Sequence, residues 1–301
     1  MRMDEAYMLG RRKLEEADVG EAQLDAWYLL EHATRMSRAD YFKEPKKELT
    51  KEQELRYFLY IEKRAQRIPL QHITGEQAFM GLPFLVNEFV LIPRQDTEIL
   101  AEIALGLLKS LSRERQKDVT GGEPAASPLR ILDMCTGSGC ILLSLMHYMK
   151  QDSCLALEGV GADVSDEALQ VARENAERLE LEATWVHGDL FSKVEGRFQV
   201  IVSNPPYVRT KELDQLQAEV RFYDPRIALD GKEDGLHYFR RIVEGCKTHL
   251  EPGGHLLFEI GYDQAKDVTK LMQEAGFSKI KVKKDLTGLD RVVSGVYDRC
   301  A

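Results

Sequence analysis

The residues that most constrain chemistry are Asn204-Pro205-Pro206-Tyr207, which follow the apolar run Val200-Ile201-Val202-Ser203. Each proline fixes a φ angle and removes an amide donor. Asn204 and Pro205 each precede a proline, so both are pushed towards extended conformations. The result is a stiff corner with carbonyl acceptors and few N–H groups to compete with them. Such a corner suits a planar NH2 group. The Asn204 side-chain oxygen and the Pro205 carbonyl can each accept one of its hydrogens, and Tyr207 can stack on its plane. A conjugated nitrogen is a poor nucleophile because its lone pair is delocalised, so positioning and polarisation are the tools left to a catalyst. Asn204 does not ionise at neutral pH and cannot serve as a general base.

A second group of residues lies upstream. Ile131-Leu132-Asp133 closes a strand-like run, and Met134-Cys135-Thr136-Gly137-Ser138-Gly139 leads into a helix starting near Cys140. Glycines at such a turn let the backbone approach a ligand closely, and the helix start offers free amides. Either phosphate or the amino-acid portion of another cofactor could sit there. The third glycine of a dinucleotide fingerprint is missing, since Leu142 stands in its place, and there is no Gly-Lys-Ser/Thr of a P-loop. Further acids follow later strand candidates. Asp163 could accept from both ribose hydroxyls, although it lies 30 positions after Asp133, where dinucleotide folds use about 20. Asp189 could accept from an adenine amino group, with Leu190 and Phe191 against the ring. Any single acid could be a cap or a turn residue. Three acids after successive strands converge on one edge of an open parallel sheet.

The elements that must position these residues can be read from periodicity. Helices are expected over about Asp4–Ala17, Glu21–Arg35 and Lys51–Arg67. The second should present Leu24, Trp27, Tyr28 and Leu30 on one face. The third should present Leu55, Phe58, Leu59 and Ile61, and it opens with a Thr50-x-x-Gln53 capping box. Together they predict a small helical bundle over residues 1–70. Short strands at Ile73–Gly75, Phe79–Gly81, Phe84–Val86 and Phe89–Ile92 predict a linking hairpin over 71–93. A helix over Thr97–Leu111 and a polar loop at 112–128 should follow.

From residue 129 strands and helices alternate. Strands are expected at Leu129–Met134, Leu155–Ala162, Ala183–His187, Phe198–Ser203, His255–Ile260, Ser278–Lys284 and Arg291–Tyr297. Helices are expected at Ser165–Leu179, Leu236–Leu250 and Asp263–Ala275. The alternation predicts an α/β domain over 94–301, with a mostly parallel sheet covered on both faces. Only Asp285–Asp290 separates the last two strands, too little for a parallel crossover, so they should form an antiparallel hairpin.

Composition narrows the function classes. The 301 residues carry a net charge of −9. Residues 1–75 hold 14 basic and 14 acidic side chains, so the acidic excess falls on the remainder. Proteins that grip long nucleic acids usually show a basic stripe, and neither part has a basic excess. The five cysteines lack Cys-x-x-Cys spacing, and no His-Glu-x-x-His occurs, so neither a disulfide framework nor a metal is expected. No apolar run is long enough to span a membrane, and Met1–Leu14 lacks the core of a signal peptide. A cytoplasmic monomer is expected.

With these motifs assembled, the chain resembles the class I S-adenosylmethionine-dependent methyltransferases. More closely, it resembles the HemK/PrmC type, which methylates the glutamine of a Gly-Gly-Gln loop in peptide chain release factors. The resemblance runs through Leu70–Gly81, Leu91–Glu98, Asp133–Gly139, Asn204–Tyr207, Tyr223–Leu236 and Asp285–Val293. It implies a Rossmann-like seven-stranded sheet with a helical bundle before it, joined by a β-hairpin. It also implies S-adenosyl-L-methionine as cofactor, S-adenosyl-L-homocysteine as product, and a release factor docked partly by the bundle. By the same resemblance, Cys135, Thr136, Gly137, Ser138, Gly139, Asp163 and Leu190 should line the cofactor. Asn204 should touch cofactor and substrate, and Pro205, Pro206 and Tyr207 the substrate. Cys135 stands where the family often has glycine, and Gln95-Asp96 replaces a more usual Pro-Glu pair. One alternative is an enzyme acting on an exocyclic base amine of DNA or RNA, since adenine presents a similar NH2. Another is a binding module without turnover.

Overall fold

The structure, a computed structural model, describes residues 1–118, 128–152 and 156–298. It divides into two units, Met1–Glu76 with Gln217–Tyr223, and Gln77–Leu216 with Asp224–Ala301. Residues 119–127 of the expected polar loop, and Leu155 at the start of one expected strand, lie outside the described residues. No helix among the described residues is long and apolar enough to cross a membrane.

The first unit contains α1 (Met3–Glu16), α2 (Ala22–Thr34), α3 (Arg38–Lys43), α4 (Lys51–Ala65) and α5 (Leu70–Thr74). The capping box at α4 forms as its sequence implies: Gln53 N–H donates to Thr50 Oγ1, and Thr50 N–H donates to Gln53 Oε1. The expected apolar faces are displaced. Trp27 and Leu30 are buried, but Leu24 and Tyr28 are exposed; on α4 Tyr57 and Ile61 are buried while Leu55 and Leu59 are exposed. Alanines 22, 26 and 33 fill the inner face of α2 instead, since small side chains let the helices pack closely. Residues 70–74 form a helical turn capped by Gly75, so Ile73-Thr74-Gly75 is not the strand its pattern predicts. Pro69 starts that turn and Gly75, with φ +77°, ends it. Gln217–Tyr223 belongs to this unit because Glu219 accepts from Arg64 at 2.9 Å and from Arg67 at 2.8 Å. Arg64 also pairs with buried Asp25 at 2.6 Å.

The hairpin of β1 (Glu76–Phe79) and β2 (Leu82–Leu85) starts at the boundary residue Glu76, and α6 (Thr97–Asp118) follows in the second unit. Phe89–Ile92 is not a strand. Val90 and Ile92 are buried without a pairing partner, and a buried apolar run cannot be assigned by pattern alone. Helix α6 continues past Leu111 because Ser112 is still buried on its inner side. Then come β3 (Leu129–Met134), α7 (Cys140–Gln151), β4 (Leu157–Asp163), α8 (Asp166–Arg178), β5 (Thr184–His187) and β6 (Phe198–Ser203). The chain ends with α9 (Ala218–Tyr223, of the first unit), α10 (Arg226–Leu229), α11 (His237–His249), β7 (Leu250–Glu259), α12 (Ala265–Glu274), β8 (Phe277–Lys284) and β9 (Asp290–Tyr297).

Seven strands form one sheet in the order β5-β4-β3-β6-β7-β9-β8. The first five are parallel, and β9 runs antiparallel to both β7 and β8. Successive side chains on a strand face opposite sides. Ile131, Val200 and Val202 accordingly enter the core under α6 and α7, while Leu132 and Ile201 enter the one under α11 and α12. The α/β fold expected from the alternation is the fold observed.

One fully buried side chain ties the hairpin to the glycine loop. Asn175 Nδ2 donates to the Leu85 carbonyl (3.1 Å) and the Ser138 carbonyl (3.0 Å), while its Oδ1 accepts from Leu85 N–H (2.7 Å). Asn175→Ala would strand one donor and two acceptors, so a stability loss on the order of 3 kcal/mol is expected. Urea unfolding of the two proteins measures it, and a difference within error would contradict this role.

Candidate active site

The site starts from strand register. Met134 of β3 pairs with Ala162 of β4 and with Ser203 of β6. The next residue on each strand is Cys135, Asp163 and Asn204, so all three leave the sheet edge side by side. Asp163 pairs with His187 of β5, which puts Gly188-Asp189 at the same edge. A cavity of about 300 Å³ opens there. It is lined by Cys135, Thr136, Gly137, Ser138, Asp163, Asp189, Leu190, Asn204 and Pro206.

The loop after β3 is held in shape by its own bonds. Cys135 and Gly137 take positive φ (+63° and +55°). The Cys135 and Thr136 amides donate to the Ala162 carbonyl. A Cβ at Gly137 would meet nothing within 4 Å, so this backbone faces open cavity. Gly139 does not line the cavity. Its φ is +78°, and a Cβ there would press on Trp185 at 3.1 Å and on Leu143 at 3.2 Å, so it shapes the turn from beneath. Burial raises the Cys135 thiol above its ordinary value, which leaves it protonated and a weak nucleophile at neutral pH.

The three acids are in different states. Asp133 is fully buried below the loop. Its Oδ2 accepts from the Thr136 hydroxyl at 2.7 Å, and its Oδ1 has no hydrogen-bond partner. Burial, with the Asp163 charge nearby, pushes its carboxyl up to about 7. Asp163 accepts from Gly137 N–H (2.9 Å) and Ser165 N–H (3.0 Å). Burial raises it, and those amides pull it back. Asp189 is exposed and is held below the usual carboxylate range by its hydrogen bond from Arg241 at 2.8 Å. Leu190 lies beside it, but Phe191 turns away and stacks on the His249 ring at 4.6 Å, against the expectation that it would face a ligand. Tyr238 and Ile227 line the cavity instead.

The Asn-Pro-Pro-Tyr corner is strapped from several sides. Ser203 donates to the Met134 carbonyl at 2.6 Å, which fixes the β6 end to the β3 end. Buried Gln264 donates to the Tyr207 and Gly235 carbonyls. A Cβ at Gly235, whose φ is +75°, would fall 2.5 Å from the Tyr207 carbonyl oxygen, so only glycine allows this approach. Asn204 Nδ2 donates to Thr97 Oγ1 over 3.4 Å. Pro205 is buried and does not line the cavity. Tyr207 lies in a neighbouring cavity of about 360 Å³ with Arg94, Gln95, Asp96, Glu259 and Arg291. Its hydroxyl donates to Glu259 at 3.2 Å, and burial raises it above its ordinary value.

Several of these residues were not singled out from sequence. Tyr238, Arg241 and Glu259 lie outside the motifs and carry no local pattern, and Thr97 lies inside Leu91–Glu98 with nothing in its own residue type to mark it. Arg94, within Leu91–Glu98, is placed by an ion pair to buried Asp224.

Comparison with known proteins adds independent findings. Residues 5–75 match the family described as PrmC N-terminal domain, and residues 124–224 match the Methyltransferase small domain. The chain is 37% identical to the release factor glutamine methyltransferase of Caulobacter vibrioides, covering 97% of this chain and 95% of that one. It is 35% identical to the protein of the same description from Clostridium acetobutylicum, over 98% and 99%. Among solved structures, a methyltransferase from Pyrococcus furiosus shares the fold at a TM-score of 0.51 and 20% identity, over 78% of this chain and 99% of that one.

The raised Asp133 carboxyl sets a pH dependence for the ligand-free protein. Its folded value lies above its unfolded one, so its contribution to stability is complete below about 4 and is lost as pH rises through about 7. Chemical unfolding of the ligand-free protein at a series of pH values from about 5 to about 8 should show this decline, and Asp133→Asn should flatten it. An unchanged slope in the variant would contradict the assignment.

Proposed function

The chain belongs to the release factor glutamine methyltransferase family, and from that premise we propose how its cavity and its Asn-Pro-Pro-Tyr corner share the reaction. The enzyme methylates the side-chain amide nitrogen of a release-factor glutamine. In this reading the glutamine is that of a Gly-Gly-Gln loop, and S-adenosylmethionine occupies the cavity. When bound, that cofactor supplies a methyl group on a positively charged sulfur, which makes it an electrophile.

The residues present fit such a ligand. Asp163 and Asp189 set acidic groups against the cavity, while Asp133 lies fully buried beneath the loop that forms its wall. Gly137 leaves backbone open to the cavity, where a carboxylate could meet amides at the start of α7. Asp163 keeps spare lone pairs on both oxygens for ribose hydroxyls, and Asp189 and Leu190 would meet the adenine end.

The observation that carries the reading is that Asn204 lies at the rim of this cavity, one residue beyond the strand register that also delivers Cys135 and Asp163. Its Nδ2 is engaged by Thr97, so its Oδ1 remains to accept from the substrate NH2. The Pro205 carbonyl would take the second hydrogen. Both acceptors gain as the nitrogen becomes positive during attack, which is selective stabilisation of the transition state. The amide proton leaves to solvent after the methyl has moved. Pro206 borders the cavity, and Tyr207 bounds the corner on the side of Glu259.

The helical unit leaves Leu24, Tyr28, Leu55 and Leu59 exposed, apolar side chains suited to docking a protein substrate. We place the enzyme in the cytoplasm as a monomer. The base-amine reading is not favoured: relatives named for the glutamine reaction match nearly the whole chain, and no basic excess marks either part of the sequence.

Methyl transfer from labelled S-adenosylmethionine to purified release factor tests this directly. Label should appear on the wild-type factor, and none on a factor whose loop glutamine is alanine. Label on DNA or RNA instead would overturn the reading. Asn204→Ala should lower kcat by about 10²–10³-fold with little change in cofactor affinity, and a near-wild-type rate would remove Asn204 from its assigned role.

A further inference from the structure

The turn between β8 and β9 has no part in the reaction as described, yet the sheet sets it beside the Asn-Pro-Pro-Tyr corner. Ser203 of β6 pairs with Phe258 of β7, and Phe258 pairs with Val293 of β9. Glu259, the next residue on β7, pairs with Val292. Val292 therefore lies level with Asn204 and two strands away, a distance of about 10 Å. Because β9 runs antiparallel to both its neighbours, the start of β9 and the end of β8 meet at the edge from which Asn204 emerges. Arg291 secures the link. Its Nη2 pairs with Asp285 and with Asp96, each at 3.1 Å, and Arg291 lines the cavity that holds Tyr207.

This edge carries exposed apolar side chains. Leu286 is fully exposed, Tyr262 is 64% exposed and Leu289 45%. The Ile260 amide donates to the Arg291 carbonyl at 2.9 Å, one step beyond the last strand pair, so Tyr262 and Leu289, two positions further along each chain, leave the sheet together. The turn that presents Leu286 is held by its own bonds. Asp285 Oδ1 accepts from the Thr287 amide (2.9 Å), the Thr287 hydroxyl (2.7 Å) and the Leu289 amide (3.0 Å), and the Asp285 amide donates to the Leu289 carbonyl at 2.8 Å. Ion pairs flank the three apolar residues in the chain: Lys284 with Asp290 on either side of the turn, and Asp263, next to Tyr262, with Arg209. An apolar centre within a polar rim is the anatomy of a protein interface. A turn fixed beforehand also binds without the entropy cost of ordering it. We propose that Tyr262, Leu286 and Leu289 form a docking surface for the body of the release factor, beside the loop that delivers its glutamine. The inference rests on the reading that the glutamine enters at Asn204. The occupant follows from the reaction: a glutamine side chain is short, so a folded substrate that places it at Asn204 must bring its own surface against residues two strands away.

Leu286→Asp should raise the KM for purified release factor by about 10-fold, and adding Tyr262→Ala should raise it further. The kcat at saturating factor and the affinity for S-adenosylhomocysteine should stay at their wild-type values, and Leu286→Met should keep the wild-type KM. Calorimetry of the factor with the S-adenosylhomocysteine-loaded enzyme should show binding weakened in parallel. An unchanged KM in the double variant would overturn the proposal. A loss of kcat or of cofactor affinity as large as the rise in KM would also overturn it, because that pattern marks damage to the fold. So would a wild-type enzyme that sediments as a dimer and a Leu286→Asp variant that sediments as a monomer with KM unchanged, since the surface would then belong to a second copy. A wild-type rate in Asn204→Ala would instead bring down the reading of the corner, so the two failures are distinguishable. Should Leu286→Asp disturb the turn, Leu286→Ala with Tyr262→Ala carries the same test.

Discussion

Where β3 stops, its parallel neighbour β6 stops as well and β4 runs only one residue further, because Met134 pairs with both Ala162 and Ser203. That shared register is the constraint on which the rest of the site depends. Parallel pairing aligns the carboxyl ends of the strands, and each chain must turn away at the same height. A loop that cradles a ligand, an acid that accepts from it and a corner that presents a reactive group are therefore adjacent, although they come from residues some 70 positions apart. A one-residue slip of β6 would turn Asn204 to the other face of the sheet. Ser203, bonded to the Met134 carbonyl, pins the strands at the point where a slip would matter most.

The site's electrostatics follow from how deeply each acid is set. Asp133 lies beneath the loop with one oxygen unused, Asp163 is held by backbone amides, and Asp189 is exposed against Arg241. Side chains of one type thereby differ in charge state and in capacity to accept. Prolines at the corner remove competing donors, and Gln264, Gly231 and Gly235 allow the following segment to close over Tyr207.

Much of this was legible in the sequence because the signals were local. The bounds of β3 and β6 fall where the apolar alternation puts them, and the Thr50 cap forms as its spacing implies. The antiparallel final hairpin follows from a connection too short for anything else. What was not legible depends on partners distant in the chain. Phe89–Ile92 has the composition of a strand but pairs with none, and its Phe89, Val90 and Leu91 wall the cavity together with Pro93. Strand β7 begins at Leu250, before the Pro252-Gly253-Gly254 run that reads locally as a turn, because Leu250 pairs with Phe198. Phe191 sits next to a cavity residue but has a better partner in His249. Asn175 gains its role only once folding has brought Leu85 and the Ser138 loop to it.

The central claim is that the corner holds the substrate nitrogen by its two hydrogens, with Asn204 presenting oxygen. A crystal structure of the enzyme with S-adenosylhomocysteine and a peptide containing Gly-Gly-Gln would test it most directly. The account predicts the glutamine side-chain nitrogen about 2.9 Å from both Asn204 Oδ1 and the Pro205 carbonyl oxygen, with its free face towards the sulfur. A glutamine bound outside the corner, or an Asn204 refined with its NH2 towards the peptide, would contradict it.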